Sequence, residues 1–554
     1  VSNRTGRVAK GTLILSGAAL LTKGLGTLFW LPLQNIAGDS AMGIYRQTFP
    51  LYSILLMLAT AGVPITVSRF VSERLSAENP AGARRVMQVS SLILSVSGGI
   101  GFFILYGGSE WIARVILGYP RTQASLQVLA FALLIVPVMA TLRGYFQGYQ
   151  RMGPTALSQV VEQLLRVLTV VGVTYWMVHL GFDTAAIAAG ATSGAVTGAA
   201  GGFFIMIVFL RRDRQAHVLS SSERRTAAEQ EPFFALSRGV IRFALPISLG
   251  SLVLPLINLL DSVTVPRLLH AALGYSRDHS IDLFGIYGRG APFVNLIAAF
   301  SSALTLALIP SITAHVTKGE HRAVRRKTAQ SWLLTAIVGL PSSIGLAILS
   351  KPLTIMMYHN ESAQVVNTSS LVITELAIST VFSTLAVTSS GILQGLGHNK
   401  RPVRNLSIGA AVKVGANLLF IPQMGITGSA LAMVAAYLVV CLLNLASVSR
   451  YTGVEIQYRK LFLKPALCTG IMAAVLLTAL YGVNLYAPLG PDDRWLSAGV
   501  SLVMILFGIC IYSVSLLLTR TIGESELLLL PRGDKICYWL NRFKIIRSSD
   551  SAAS

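Results

Sequence analysis

Charge is what this sequence holds least of. Asp, Glu, Lys and Arg make up only 12% of its 554 residues, against roughly a quarter in soluble domains, while 53% are hydrophobic and the mean hydropathy is +0.64. Such a chain cannot cover a globule with solvated side chains, so a soluble fold is excluded and a bilayer is its solvent. Acidic residues are scarcer still, 23 against 45 Lys and Arg, for a net charge of +22. In a soluble protein that excess would point to nucleic acid. Here it sits mainly in short loops between apolar runs, where it sets orientation, and no nucleic-acid partner is expected. Cysteine is nearly missing: Cys441, Cys468 and Cys510 lie in separate apolar runs and Cys537 in the tail, with no CxxC, so neither a disulfide nor a zinc site is expected. The eight histidines fall in loops or at helix ends without ligand spacing. No GxxxxGK[ST] loop and no nucleophile–base set is present, so the chain reads as a non-enzyme without metal or cofactor.

Long apolar runs are what it has instead. Fourteen stretches reach the ~20 residues a spanning helix needs. They run roughly over 11–36, 43–70, 86–108, 124–148, 156–178, 184–210, 240–266, 283–310, 329–350, 367–395, 404–424, 426–448, 463–486 and 495–519. The pattern predicts an all-α polytopic membrane protein of about 14 transmembrane helices. The first run is too long for a signal peptide and lacks a small-residue cleavage site. Basic clusters recur on alternate loops (Arg84-Arg85, Arg211-Arg212, Arg325-Arg326-Lys327, Lys400-Arg401, Arg459-Lys460), which places both termini in the cytoplasm.

A polar linker over 211–239 divides the chain, and internal repetition supports the division. Gly43-Ile44-Tyr45 with Pro50 returns as Gly285-Ile286-Tyr287 with Pro292; Gly144-Tyr145-Phe146-Gln147-Gly148 returns as Gly391-Ile392-Leu393-Gln394-Gly395; Arg166 falls on Lys413. The expected domains are an N-lobe of six helices (1–210), the linker (211–239), a C-lobe of six (240–448), two added helices (449–519) and a tail (520–554). In that tail Ile536, Trp539, Leu540, Phe543 and Ile546 share one helical face, as in an amphipathic helix lying on the cytoplasmic leaflet or on the bundle.

Ionisable residues inside the runs carry the functional information. A cation in hydrocarbon costs at least ~2.5–3.5 kcal/mol, so each needs a reason. Seven are basic (Lys23, Arg46, Arg143, Arg166, Arg242, Arg289, Lys413) and three acidic (Glu162, Asp261, Glu375). Arg242 is near enough to a helix end to snorkel. Glu162 and Arg166, at i,i+4, can neutralise each other. Arg143, Arg166 and Lys413 are secondary binding candidates, and Asp261, Glu375 and Glu162 serve either charge balance or a coupling ion. Lys23 lies mid-run, and Arg46 and Arg289 sit about one turn in from the outer ends of their runs, beside Pro50 and Pro292. These three are the leading candidates for a cavity that holds an anion, because paired guanidinium donors suit phosphate. Pro50, Gly62, Pro64, Pro246, Pro255, Pro292 and Pro310 interrupt or end the same helices and permit the bends that alternating access needs.

The run Gly43-Ile44-Tyr45-Arg46-Gln47-Thr48-Phe49-Pro50-Leu51-Tyr52, with Ala61-Gly62-Val63-Pro64 and Leu142-Arg143-Gly144-Tyr145-Phe146-Gln147-Gly148 after it, resembles the polysaccharide-biosynthesis and stage V sporulation protein B group. That group lies in the multidrug/oligosaccharidyl-lipid/polysaccharide (MOP) exporter superfamily and includes lipid II flippases. The resemblance implies a V-shaped bundle of two lobes whose central cavity is lined by basic residues on the first, second and eighth helices, here Lys23, Arg46 and Arg289. Helix one carries a single lysine where some relatives carry more than one arginine. The implied cargo is an undecaprenyl-pyrophosphate-linked saccharide, lipid II first, moved from inner to outer leaflet of a bacterial plasma membrane by a monomer. The alternatives are a cation-coupled multidrug exporter of the same superfamily and an exporter of another lipid-linked polysaccharide unit.

Overall fold

The computed structural model describes residues 15, 17, 18, 21, 22, 24–27, 29–60, 62–216, 232–358, 361–455, 459–519 and 521. Lys23, most of the linker and the amphipathic tail lie outside the described residues. The protein is all-α, with no strand among the described residues. In chain order the helices are α1 (Trp30–Thr60), α2 (Val63–Ser76), α3 (Pro80–Gly107), α4 (Gln123–Gly148), α5 (Met152–His179), α6 (Thr184–Ala216), α7 (Phe233–Ser251), α8 (Val253–Leu273), α9 (Arg277–Tyr287), α10 (Ala291–Thr317), α11 (His321–Ile348), α12 (Ser350–Met357), α13 (Ala363–Gly395), α14 (Lys400–Met424), α15 (Ile426–Thr452), α16 (Lys464–Tyr486) and α17 (Arg494–Leu518).

Among the described residues eleven helices are long and apolar enough to cross a membrane. One of them, Gly24–Ser76, is 53 residues long and takes in the second half of the first apolar run and all of the second. Gly38 divides those runs with φ 76° and ψ 176°, a conformation open essentially to glycine alone, so α1 is two helical segments joined at that residue. Run 43–70 is divided again where α1 ends at Thr60 and α2 begins at Val63, with Pro64 in its first turn. Run 240–266 is split between α7 and α8 at Leu252, between Pro246 and Pro255. Run 283–310 is split by a 3-10 turn, Gly288–Gly290, ahead of Pro292. The breaks therefore fall at or beside the prolines and glycines that lack a donor or a Cβ. Large apolar side chains stand fully outward, among them Phe103, Leu168, Phe204 and Leu506, as a bilayer-facing surface requires.

The chain forms two compact units, residues 1–288 and 289–554. In the first, Val67, Val86, Met139, Phe146 and Met206 build a core from α2, α3, α4 and α6, and Leu236 and Ala244 of α7 join it. Helices α7 to α9, which the sequence repeat assigns to the second lobe, thus pack with the first unit. In the second, Trp332, Leu385, Leu393, Cys441 and Leu445 hold α11, α13 and α15 together. Met472, Leu476, Met504 and Tyr512 pack α16 and α17 onto α11 and α13.

The seam of the first unit is the crossing of α1 and α9. A Cβ on Gly43 would stand 2.2 Å from the Ile281 carbonyl oxygen, and one on Gly285 would stand 2.1 Å from that of Asp39. Ser40 donates a hydrogen bond to Asp282, 242 residues away. The offset that relates the two Gly-Ile-Tyr motifs joins Ser40 to Asp282 and exchanges the two glycine contacts, carrying Gly43 to Gly285 and Asp39 to Ile281. The repeat is therefore visible as a reciprocal contact, made at van der Waals distance because both helices carry glycine there.

Candidate functional site

Arg46 projects from α1 just beyond this crossing. Its guanidinium lies 5.9 Å from the ring centroid of Trp30, 5.5 Å from Phe284 and 5.6 Å from Tyr287. Three aromatic faces give a cation an attractive surface, each contact being worth about 0.5–2 kcal/mol depending on desolvation. Position 288, the equivalent of Arg46 by the 242-residue offset, is glycine, and a Cβ there would stand 2.7 Å from Arg46 Cδ. Equivalent positions meet along this seam, so only one of the two has room for a long side chain. The second arginine stands one residue later, at Arg289.

Arg289 belongs to the second unit and is 1% exposed. Its Nη2 donates to the Glu361 carboxylate in the segment between α12 and α13. The guanidinium lies 4.8 Å from the Tyr358 ring, whose hydroxyl donates to the Arg289 carbonyl oxygen at 2.9 Å. Glu361 and Tyr358 carry no sequence signal of this role, since one lies in a polar loop and the other at a helix end. The aromatic seat of Arg46 was half legible, because Tyr287 belongs to the repeated motif.

The remaining candidates divide by surroundings. Glu162 bridges two cations, accepting from Arg143 Nη2 at 2.8 Å and from Arg166 Nη2 at 2.8 Å. Arg143 also donates to Ser158 Oγ at 2.7 Å, which itself donates to the Gly202 carbonyl at 2.9 Å. The pair read from i,i+4 spacing is thus part of a net-positive triad that ties α4, α5 and α6 together. Lys413 (1% exposed) and Asp261 (5%) are buried in α14 and α8, and Glu375 is half-buried in α13. Arg242 is exposed on α7. Among the described residues no cluster of three His, Cys, Asp or Glu side chains occurs.

The second unit also contains an apolar cavity of about 460 Å³, lined by Phe293, Pro341, Leu346, Met472, Met504 and Tyr512 from α10, α11, α16 and α17. Its wall matches hydrocarbon, whereas Arg46 and Arg289 match a charge.

A multi-span helical bundle with ionisable side chains inside its helices is an architecture that membrane transporters use, and the comparisons place the chain among relatives of that class. The family model described as polysaccharide biosynthesis protein matches residues 8–316, and that described as lipid II flippase MurJ matches 294–488. The chain belongs to the polysaccharide biosynthesis protein family. It is 30% identical over 534 residues to an uncharacterized membrane protein, YabM, of Bacillus subtilis (strain 168), covering 96% of each chain. It is 27% identical over 460 residues to the lipid II flippase MurJ of that organism (81% of this chain, 83% of the other). It is 25% identical over 530 residues to the organism's stage V sporulation protein B (94% and 97%). Among solved structures it resembles the lipid II flippase MurJ in an inward closed conformation, with TM-score 0.65, 14% identity and coverage of 91% and 98%. It also resembles an inward-facing multidrug resistance MATE family transporter of the MOP superfamily, with TM-score 0.59, 18% identity and coverage of 78% and 96%.

Proposed function

We propose that this protein is a flippase that moves an undecaprenyl-pyrophosphate-linked cell-wall precursor, lipid II first, from the inner to the outer leaflet of a bacterial plasma membrane. The observation that carries the reading is the pair of arginines at the repeated motif, one in an aromatic seat and one against a carboxylate. Both are cations kept inside hydrocarbon where a structural role alone would favour apolar residues. In this reading Lys23, Arg46 and Arg289 line a cationic cavity that holds the pyrophosphate. The apolar cavity between α10, α11, α16 and α17 offers the polyprenyl chain a path between helices. Rocking of two lobes exposes the cavity to each side in turn. Both termini are cytoplasmic, the working unit is a monomer, and Asp261, Glu375 and Glu162 are the places to seek a coupling ion.

The test is rescue of cells depleted of their lipid II flippase. Wild-type protein restores growth, whereas Arg46→Ala and Arg289→Ala insert normally and do not. Full rescue by both variants overturns the cavity assignment. The intramembrane charges are mainly basic, seven against three, which opposes a drug exporter that attracts organic cations. Ethidium efflux on expression would favour that alternative.

A further inference from the structure

The first unit holds a second concentration of positive charge, at the helix ends that the loop-charge pattern places outside the cell. A cavity of about 310 Å³ lies between the segment following α3 and the end of α8. Arg114, Arg267, His270 and Arg277 line it, with Tyr119 in its wall and Gln47 of α1 among its buried lining.

The basic groups of this lining are left with donors to spare. Arg267 is fixed by donation from its Nη2 to the Val115 carbonyl oxygen. Arg277 has no ion-pair partner among the described residues, and Arg114 has only the exposed Glu110, 3.0 Å away. The nearby acid does not neutralise them: Asp278 already accepts from the Tyr119 hydroxyl at 2.6 Å and lies 3.7 Å from Arg121. Burial, and then that Asp278 contact, push the Tyr119 phenol above its ordinary pKa, so the hydroxyl keeps the proton that it donates to Asp278. His270 Nδ1 lies 2.6 Å from the Tyr275 carbonyl oxygen, so Nδ1 carries the proton and Nε2 is left for another partner.

Gln47 supplies the independent observation. The side chain is 0% exposed, and its Nε2 donates to the carbonyl oxygens of Leu117 (2.9 Å) and Ser262 (3.2 Å). Two carbonyl partners fix which end of the amide is nitrogen. Its Oε1 is buried without a hydrogen-bond partner, an arrangement that costs free energy unless a donor arrives from the cavity.

We propose that this cavity binds a phosphate-bearing group that also carries a hydroxyl. Guanidinium forks engage the phosphate oxygens, and the hydroxyl donates to Gln47 Oε1. The site is distinct from the cavity assigned to Arg46 and Arg289, and its occupancy does not depend on what that cavity transports. The same chemistry is available from a phosphoglycerol headgroup of the outer leaflet or from a soluble glycerol phosphate.

The experiment uses the purified full chain in detergent. Binding of phosphatidylglycerol is followed by native mass spectrometry, and binding of glycerol 3-phosphate without lipid by thermal shift. Arg114→Gln with Arg277→Gln removes two exposed guanidinium groups, and Arg69→Gln with Arg211→Gln removes the same charge elsewhere. The pocket pair is expected to weaken binding by roughly tenfold or more, with the control pair close to wild type. Arg114→Lys with Arg277→Lys falls between, because charge is kept and the forks are lost. Loss confined to the lipid probe identifies a headgroup as the source, and loss with both probes adds the soluble one. Equal affinity in the pocket and control pairs, or no binding of either probe by the wild type, overturns the site. Size-exclusion profiles and melting temperatures check that each variant is folded, and the lysine pair supplies the comparison should the glutamine pair not be.

Discussion

An arginine inside hydrocarbon needs a counter-ion, a polarisable surface or a route to water, and both arginines of the repeated motif lie against aromatic rings: Arg46 over Trp30, Phe284 and Tyr287, and Arg289 over Tyr358 with Glu361 as its counter-ion. The second is the more brittle arrangement. Replacing Glu361 with glutamine leaves a guanidinium that is 1% exposed against a neutral amide. We expect a stability loss of about 1–3 kcal/mol, below the full figure for a buried pair because Glu361 is a quarter exposed, read as a lower melting temperature in detergent. Arg46→Lys should keep the charge but lose the flat contact with three rings, and should rescue flippase-depleted cells less well than wild type. Both arginines were legible in the sequence as charges out of place. Their partners were not, because a glutamate in a loop and aromatic residues in a membrane helix look ordinary until the chain is folded.

Element geometry rests on a few residues without side chains. Gly43→Ala would push a methyl carbon against a backbone carbonyl that has no flexible end to yield, whereas Gly172, on α5, has nothing within 4 Å of the same added carbon. We expect Gly43→Ala to cost about 1–3 kcal/mol and Gly172→Ala to be neutral or stabilising, compared by thermal unfolding. Gly38→Ala should cost a similar ~1–3 kcal/mol, through backbone strain rather than packing. The helices themselves followed from apolar length. Their breaks followed less completely: Pro64 and Pro292 mark theirs, but Gly38 is one glycine among 49, and only its dihedral angles distinguish it.

For the whole molecule, the charge asymmetry of the loops makes a prediction that binding does not enter. With the native cysteines replaced, Cys at Asp183, between α5 and α6, should react with an impermeant maleimide in intact spheroplasts, and Cys at Arg212 should react only after lysis. The reverse labelling would invert the orientation and with it the direction of transport. Repetition was legible as three ordered matches, and the reciprocal contacts at Gly43 and Gly285 give it a physical form. The compact units were not legible, since they divide at Gly288 and the polar linker lies well before that point. A linker marks where the chain is polar, whereas a unit boundary marks where packing changes sides.

The seam at α1 and α9 also bears on how such a chain can vary. Position 40 meets 282 and position 46 meets 288, and in each case unlike residues face one another: a serine opposite an aspartate, an arginine opposite a glycine. Two identical halves could not make this seam. They would set arginine on arginine, or leave glycine facing glycine across a void. The two sides fit as lock and key, so a change at either side is constrained by what stands opposite.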